Sequence, residues 1–371
     1  MTTQEAIVVG GGIVGASVGY HLSRDGVETL LIDREDTGEA TSAGAGSVGP
    51  ATSSQSADDD WYAFATNAAD YYPKLAEQLE NAGAGETSYH RPGTLAVAID
   101  EDEFDPYEEA LQRIADRGIE VEEIAPSDAA ERFPPLTEVE RAFYDPSGAH
   151  VNGRSFTDAL LAGAATHGLE TLDADVTGIR VEDGAVVGVR TADGRSIDTG
   201  SVVIAGGAWS PHFESDLGIE VPVEPQRGQI VHLDVDAATG TWPITKGFRH
   251  HYIVPWADGR VVVGATRETG AGYDPRLTAE GVNQVLSEAL RVAPGLADAT
   301  IADLRVGLRP LSADKLPLLG AVPGVDGAYL ATGHGPTGLT LGPYSGKVVA
   351  GTVTGHDAVP DRFAVDRFLN H

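Results

Sequence analysis

Residues Ala6-Ile-Val-Val-Gly-Gly-Gly-Ile-Val-Gly15, with an apolar run over 28–32 that closes on Asp33, have the types and spacing needed to hold a dinucleotide. Gly10 lets the chain turn off a strand, Gly12 leaves room for a pyrophosphate, and Gly15 lets a helix pack on the sheet. The unpaired N–H groups and positive dipole end of that helix then face the phosphates, so no lysine is needed. Asp33 accepts hydrogen bonds from a ribose 2′-hydroxyl and repels a 2′-phosphate, which admits FAD or NAD and excludes NADP. In a chain with 46 glycines a GxGxxG alone is weak, and the strand, helix and distal acid around it carry the assignment.

The apolar pattern predicts the elements that position this turn. The small-residue stretch over 41–50 cannot form a regular helix and lets a flat cofactor lie against backbone, a flexible loop being the alternative. Helices are expected over 61–79, 107–116, 156–166, 279–292 and about 339–354, with a proline-broken connector holding one helical turn over 126–135. A short strand is expected over 93–99. Three more, over 175–182, 186–191 and 195–197, are separated by the hairpin signals Asp183-Gly184 and Asp193-Gly194. A buried strand from Ser201 runs into a second glycine turn at Gly206-Gly207 and brings more backbone to the same cofactor. Over 229–265 the pattern becomes alternating strands, including Tyr252-Ile-Val-Pro and Arg260-Val-Val-Val-Gly, as in a large antiparallel sheet. Ala328-Tyr-Leu-Ala-Thr then returns to the first lobe through a glycine-rich loop, and there is no internal repeat.

With 371 residues, 42% of them hydrophobic, the chain is globular and long enough for a core divided between two lobes. Its net charge of −31 comes from 56 acidic against 25 basic residues, and the lysines are only Lys74, Lys246, Lys315 and Lys347. Such acidity suits either a basic partner or molar salt, where the screening length is about 3 Å and self-repulsion fades. The acids are spread along the chain, with only short clusters at Asp58-Asp59-Asp60 and over 100–103, which favours salt adaptation over a docking block. Stability is therefore expected to rise with potassium chloride into the molar range. A melting temperature that falls or stays level with salt would restore the basic partner. Nucleic acid is excluded as a partner, because nothing here neutralises phosphates.

There are no cysteines, hence no disulfide, thiolate metal site, catalytic thiol or cysteinyl-flavin bond. Adjacent His250 and His251 face opposite sides of a strand and make a poor metal pair, so no metal is expected. The apolar N-terminal run lacks a basic flank and belongs to the nucleotide turn, and no apolar run reaches the roughly 18 residues of a membrane span. A cytoplasmic protein with no stable membrane insertion is expected.

To this point NAD enzymes and flavoproteins are both open. Gly307-Leu-Arg-Pro-Leu-Ser-Ala-Asp-Lys-Leu-Pro-Leu-Leu-Gly320 and Ala331-Thr-Gly-His-Gly-Pro-Thr-Gly-Leu-Thr-Leu-Gly342 closely resemble the FAD-dependent D-amino-acid oxidase superfamily, nearest its glycine oxidase and D-amino-acid dehydrogenase branch. The resemblance runs nearly end to end, through the glycine turn, Tyr89-His-Arg-Pro-Gly-Thr-Leu, the Gly228 region, Tyr252-Ile-Val-Pro and Gly264-Ala-Thr-Arg-Glu. Together these motifs are specific to the superfamily and weakly specific for substrate. The resemblance implies an α/β fold: a Rossmann-like doubly wound FAD-binding domain over 1–85, 148–220 and 305–371, and an α+β substrate domain with a large antiparallel sheet over 86–147 and 221–304. Non-covalent FAD is implied, with substrate between that sheet and the flavin.

The implied FAD contacts begin with Gly10, Gly12, Ile13, Val14 and Gly15 at the first turn, and Asp33 and Arg34 after the second strand. They continue through Thr41, Ser42, Ala45 and Gly46, then Val176, then Ala205, Gly206 and Trp209 at the second turn. The last set is Arg309 with Gly333, His334, Gly335, Thr337, Gly338, Leu339 and Thr340.

Hydride transfer from a substrate α-carbon to flavin N5 asks the protein mainly to orient the two and to select the neutral amine. The resemblance puts Arg309 on the substrate carboxylate, where its forked guanidinium suits the planar anion, the alternative being a structural ion pair. Tyr252 is the matching hydroxyl donor, the alternative being a packed sheet tyrosine. The loop over 333–338 opens a helix whose N–H groups stabilise anionic reduced flavin, and His334 reads as a loop-shaping residue and not a base.

Two departures stand out. Monomeric sarcosine oxidases carry a lysine facing flavin N5, and the matching strand Arg260-Val-Val-Val-Gly264 has none. Some glycine oxidases carry a second arginine where this chain has Pro336-Thr337. The expected activity is oxidative deamination of glycine or small D-amino acids to imino acid and then 2-oxo acid, with oxygen or an electron-transfer acceptor reoxidising the flavin. The alternatives are a sarcosine-like oxidation of N-methyl amino acids, a 2-hydroxy-acid dehydrogenase, and a flavoprotein subunit that only carries electrons. The hydroxy-acid reading needs a base that no histidine clearly supplies.

Overall fold

The computed structural model of the protein describes residues 4–51, 53, 58–249 and 251–368. His250 of the adjacent pair lies outside them. Ala6-Ile-Val-Val is apolar throughout, as a strand covered on both faces must be, and all of Ala6–Val9 is buried. It lies parallel between Thr29–Asp33 and Val202–Ile204. The six-stranded sheet runs Leu318–Ala321, Ala328–Thr332, Val202–Ile204, Ala6–Val9, Thr29–Asp33 and Glu170–Asp173, parallel except for the first strand. Alternate residues serve two cores. Ala6 and Val8 pack with helices Ile13–Arg24, Asp59–Asn81, Gly153–Ala165 and Gly338–Thr354. Ile7 and Val9 pack toward a three-stranded sheet of Val176–Glu182, Ala185–Thr191 and Ser196–Asp198. The doubly wound expectation and the hairpin signals are both met.

The second sheet has eight strands in the order Thr300–Ser312, Val223–Asp234, Arg260–Gly264, Tyr252–Pro255, Ile244–Lys246, Thr94–Ala98, Arg141–Asp145 and Glu122–Ile124. Its neighbours are antiparallel except Ile244–Lys246 beside Thr94–Ala98. Val231, Ile253, Val261 and Val263 face helix Ala279–Val292. The residues between them, Ile230, Val254 and Val262, form a separate cluster with Ala45 of the small-residue stretch, and Tyr252 packs on it. Tyr252 therefore points into the seam between this sheet and the nucleotide lobe.

The expected helices all form, with ends shifted by a few residues. Asp58 caps the second one, its carboxylate accepting from the Trp61 N–H at 2.8 Å, and the proline-broken connector holds helix Pro126–Arg132. Strands Glu122–Ile124, Arg141–Asp145 and Leu318–Ala321 were not anticipated, being too short to set a period. Thr300–Ser312 was missed although it is 13 residues long. It is an edge strand whose outer half is exposed, so Ile301, Asp303 and Arg305 show no hydrophobic alternation, and an edge tolerates Pro310. It spans residue 305, where the sequence places a domain boundary. The strand runs unbroken through that point beside Val223–Asp234, so the large sheet continues to Ser312.

No helix of the described residues is long and apolar enough to cross a membrane. Four buried histidines make the fold acid-sensitive. Burial pushes His150, His232 and His334 down to about 4 and His21 to about 3, against an ordinary value of 6.5. The unfolded chain therefore binds more protons between about pH 6.5 and 4, and stability present above that window is lost as pH falls through it. In molar salt, where surface repulsion is screened, the melting temperature should drop between pH 7 and 5. A level or rising profile would mean these rings find compensating partners when charged.

Candidate active site

The two sheets enclose a cavity of ≈ 1580 Å³, counted out to its open mouth. Its lining reaches from the first glycine turn to Tyr252 and Arg309, so one continuous cleft joins the nucleotide end to the large sheet. One end is built by the first turn. Gly10 has φ +108°, and a Cβ there would strike the Ala205 carbonyl, while one on Gly15 would strike the carbonyl of Gly10. Strand and helix thus approach as closely as backbones allow. Gly12 precedes helix Ile13–Arg24, whose first turn carries no acid although the chain has 56 of them. The Ile13 N–H donates to Thr41 Oγ1 at 3.2 Å, and Ile13 and Val14 line the wall with Gly10 and Gly12. Such a cradle fits a diphosphate.

Beyond it, Asp33 lies over Gly11, and Arg34 is held by Asp36 at 2.6 Å and Asp175 at 2.8 Å. Glu39, which the sequence reading did not single out, also lines this end. Burial pushes its carboxyl up, and Asp33, Glu35 and Asp36 add to the shift. So many carboxylates suit ribose hydroxyls and oppose a 2′-phosphate.

Thr41, Ala45 and Gly46 line the cavity, as do Val176, Ala205, Gly206 and Trp209. From the last loop His334, Gly335, Gly338 and Leu339 reach it. The first turn of helix Gly338–Thr354 again carries no acid. His334 is buried with Nε2 3.0 Å from Ser345 Oγ, in keeping with a loop-shaping role. Five expected contacts do not reach the wall. Gly15 packs behind the turn, Ser42 Oγ donates to the Glu39 carbonyl, and Gly333 is wedged against Leu318. Thr337 Oγ1 donates to the His334 carbonyl and Thr340 is buried in its helix. Ser42 and Thr337 spend their hydroxyls on nearby carbonyls and Thr340 is buried, while Gly15 and Gly333 pack backbone against backbone or side chain.

At the opposite end the large sheet supplies the polar groups. Arg309 lies across Gly228, where any Cβ would overlap its guanidinium, and Nη1 donates to the Thr266 carbonyl at 2.9 Å. Tyr252 lies across Gly264, with its hydroxyl 3.0 Å from where a Cβ would stand. Two glycines in adjacent strands thus make a floor on which arginine and tyrosine converge. Burial pushes the Tyr252 hydroxyl up and the Arg309 and Arg267 guanidinium groups pull it back, leaving a protonated donor at neutral pH. Arg309 makes no ion pair among the described residues, whereas its neighbours Arg305 and Arg227 are held by Asp303 and by Glu268 and Asp274. Lys246 stands across from Tyr252 in the next strand, on the same face, and burial pushes its ammonium down to about 8 while Asp145 raises it. Nothing in the sequence marked that lysine apart from its rarity.

A dinucleotide cradle facing a sheet-borne arginine and tyrosine defines a two-lobed oxidoreductase of the Rossmann-like class. Residues 5–352 match the family of FAD dependent oxidoreductases known as DAO, and the chain belongs to it. It is 40% identical to the Bacillus subtilis protein described as uncharacterized oxidoreductase YurR, over 94% of each chain. It is 30% identical to the glycine oxidase of Pseudomonas putida over 97% of each. Among solved structures, the iminodiacetate oxidase IdaA of Chelativorans sp. BNC1 superposes with a TM-score of 0.92 at 39% identity, covering 97% of this chain and 98% of that one. The cofactor is FAD, which supplies a two-electron acceptor when bound.

Proposed function

We propose that this enzyme oxidises the C–N bond of glycine or a small D-amino acid, and that Arg309 and Tyr252 hold the substrate carboxylate. The observation that carries the reading is the convergence of these two side chains on the cavity wall, with Arg309 paired to no carboxylate among the described residues. A forked guanidinium and a phenol donor present a planar acceptor site at the right end of the cavity. The substrate loses hydride from its α-carbon as the amine lone pair forms the C=N bond, and water then converts the imine to a 2-oxo acid and free amine or ammonia. An amine needs no protein base for this step once neutral, whereas a hydroxy acid does. His334 lines the cavity but is committed to Ser345 and held far below neutral pH, which speaks against the hydroxy-acid reading. The intact pair likewise argues against a subunit that only carries electrons.

A second reading, N-substituted glycines as substrates, is favoured by the near full-length similarity to an iminodiacetate oxidase. We place the FAD-binding domain on the six-stranded sheet and the substrate domain on the eight-stranded one, with FAD non-covalent, in the cytoplasm of a salt-adapted cell. Oxygen or an electron carrier reoxidises the flavin. The test is product analysis of the holoenzyme with glycine, D-alanine, sarcosine and lactate, in air and with an artificial acceptor. A 2-oxo acid with ammonia or amine is expected from the amines, and pyruvate from lactate alone would overturn the assignment.

A further inference from the structure

Helix Gly338–Thr354 carries Pro343 a little over one turn from the end that meets the cavity. A proline has no N–H, so the carbonyl four residues before it, that of Leu339, loses the donor its own helix would supply. Another helix supplies it instead: the hydroxyl of Tyr72, from Asp59–Asn81, donates to the Leu339 carbonyl. Tyr72 is fully buried, with its ring stacked on Tyr89 at 5.7 Å between centroids and packed on Phe156 at 5.1 Å. Burial pushes its hydroxyl well above the ordinary tyrosine range, so it stays protonated. Leu339 lines the cavity with Gly335, Pro336 and Gly338, and its side chain lies over Gly44 and Gly153, where a Cβ would crowd it. Helix Ile13–Arg24 ties the same turn through Ser17 Oγ, which donates to the Pro343 carbonyl at 2.7 Å. The peptide that Tyr72 holds also carries the Thr340 N–H, one of the first-turn donors that make this helix end positive. Neither Tyr72 nor Pro343 has a part in the reading above.

Resting on the implied approach of the flavin's pyrimidine ring to this helix end, we propose that Tyr72 is a positioning residue that raises the flavin's reduction potential by supplying the donor that Pro343 withholds from the Leu339 carbonyl. Without the hydroxyl, that carbonyl either stays buried with its negative end unanswered or tilts its peptide toward another partner. The first leaves negative potential at the helix end, and the second turns a first-turn N–H out of line. Both cost the anionic reduced flavin more than the neutral oxidised one, so both move the potential the same way. The effect belongs to the flavin before any substrate binds and does not depend on which amine is oxidised.

The experiment measures the two-electron reduction potential of the holoenzyme against a reference dye, together with the melting temperature, in wild type, Tyr72→Phe, Pro343→Ala and the double variant. Tyr72→Phe keeps the ring and should hold FAD, with the redox equilibrium shifted about 3- to 10-fold toward oxidised flavin, a potential ~15–30 mV more negative. Pro343→Ala restores an N–H four residues beyond Leu339, so adding it to Tyr72→Phe should return about half or more of the lost potential. Alone it should leave the potential near wild type, because a carbonyl oxygen has room for two donors. A fall in Tyr72→Phe that Pro343→Ala does not repair overturns the proposal, since the hydroxyl then acts on something other than this carbonyl. Level potentials in all four proteins overturn it as well. If the melting temperature nonetheless falls in Tyr72→Phe and returns in the double variant, the failure lies in the approach of flavin to this helix end and not in the link from Tyr72 to Leu339. Should Tyr72→Phe fail to fold or to hold flavin, the double variant decides: a potential near wild type supports the proposal, and a lowered potential or continued loss of flavin contradicts it.

Discussion

Arg309→Met is expected to bind FAD normally and to lose about 30- to 1000-fold in kcat/KM on a carboxylate-bearing amine. Removing a charge-assisted, two-pronged contact to a carboxylate costs roughly 2–4 kcal/mol. The fold should survive. Arg309 donates to the Thr266 carbonyl, stands beside the Tyr252 hydroxyl and makes no ion pair among the described residues, so methionine can lie across Gly228 in its place. Tyr252→Phe keeps the ring on Gly264 and removes one neutral donor, for a smaller loss of about 2- to 12-fold. Rapid-reaction measurement of flavin reduction against substrate concentration checks both. If Arg309→Met reduces as fast as wild type, and an amine without a carboxylate is an equally good substrate, then the arginine is structural.

Gly12→Val should yield a folded protein without flavin. Gly12 has φ −65°, open to any residue, and a Cβ there meets only Thr41 Oγ1, at 3.1 Å. The added methyls extend into the cavity where a pyrophosphate must approach the N-terminus of helix Ile13–Arg24. Gly15→Val differs in kind, because its Cβ would collide with the Gly10 carbonyl and break the strand–helix packing itself. The visible flavin spectrum, read with circular dichroism and a melting curve, separates the two outcomes. Full flavin occupancy in a folded Gly12→Val protein would mean that the diphosphate lies elsewhere.

The nucleotide end was legible because each glycine there answers a steric demand that no other residue meets, and sequence spacing alone states the demand. Arg309 and Tyr252 were legible only through family motifs. No local pattern says that Gly228 and Gly264, in neighbouring strands, form a floor beneath them; that follows from the register of Val223–Asp234 with Arg260–Gly264 and Tyr252–Pro255. Ser42, Thr337 and Thr340 show the converse: correct position along the chain, with side chains spent on local hydrogen bonds or burial. The long edge strand Thr300–Ser312 escaped notice because half of it faces solvent and so carries no period to read.

The central claim, that an amine held by its carboxylate on Arg309 reduces the bound flavin, is tested most directly by anaerobic bleaching of the oxidised holoenzyme. The panel is glycine, D-alanine, sarcosine and iminodiacetate against ethylamine and lactate, followed in the visible flavin band. Bleaching by one or more of the carboxylate-bearing amines, with ethylamine and lactate leaving the protein yellow, is the predicted result. Equal bleaching by ethylamine, bleaching by lactate alone, or no bleaching by any amine would contradict it.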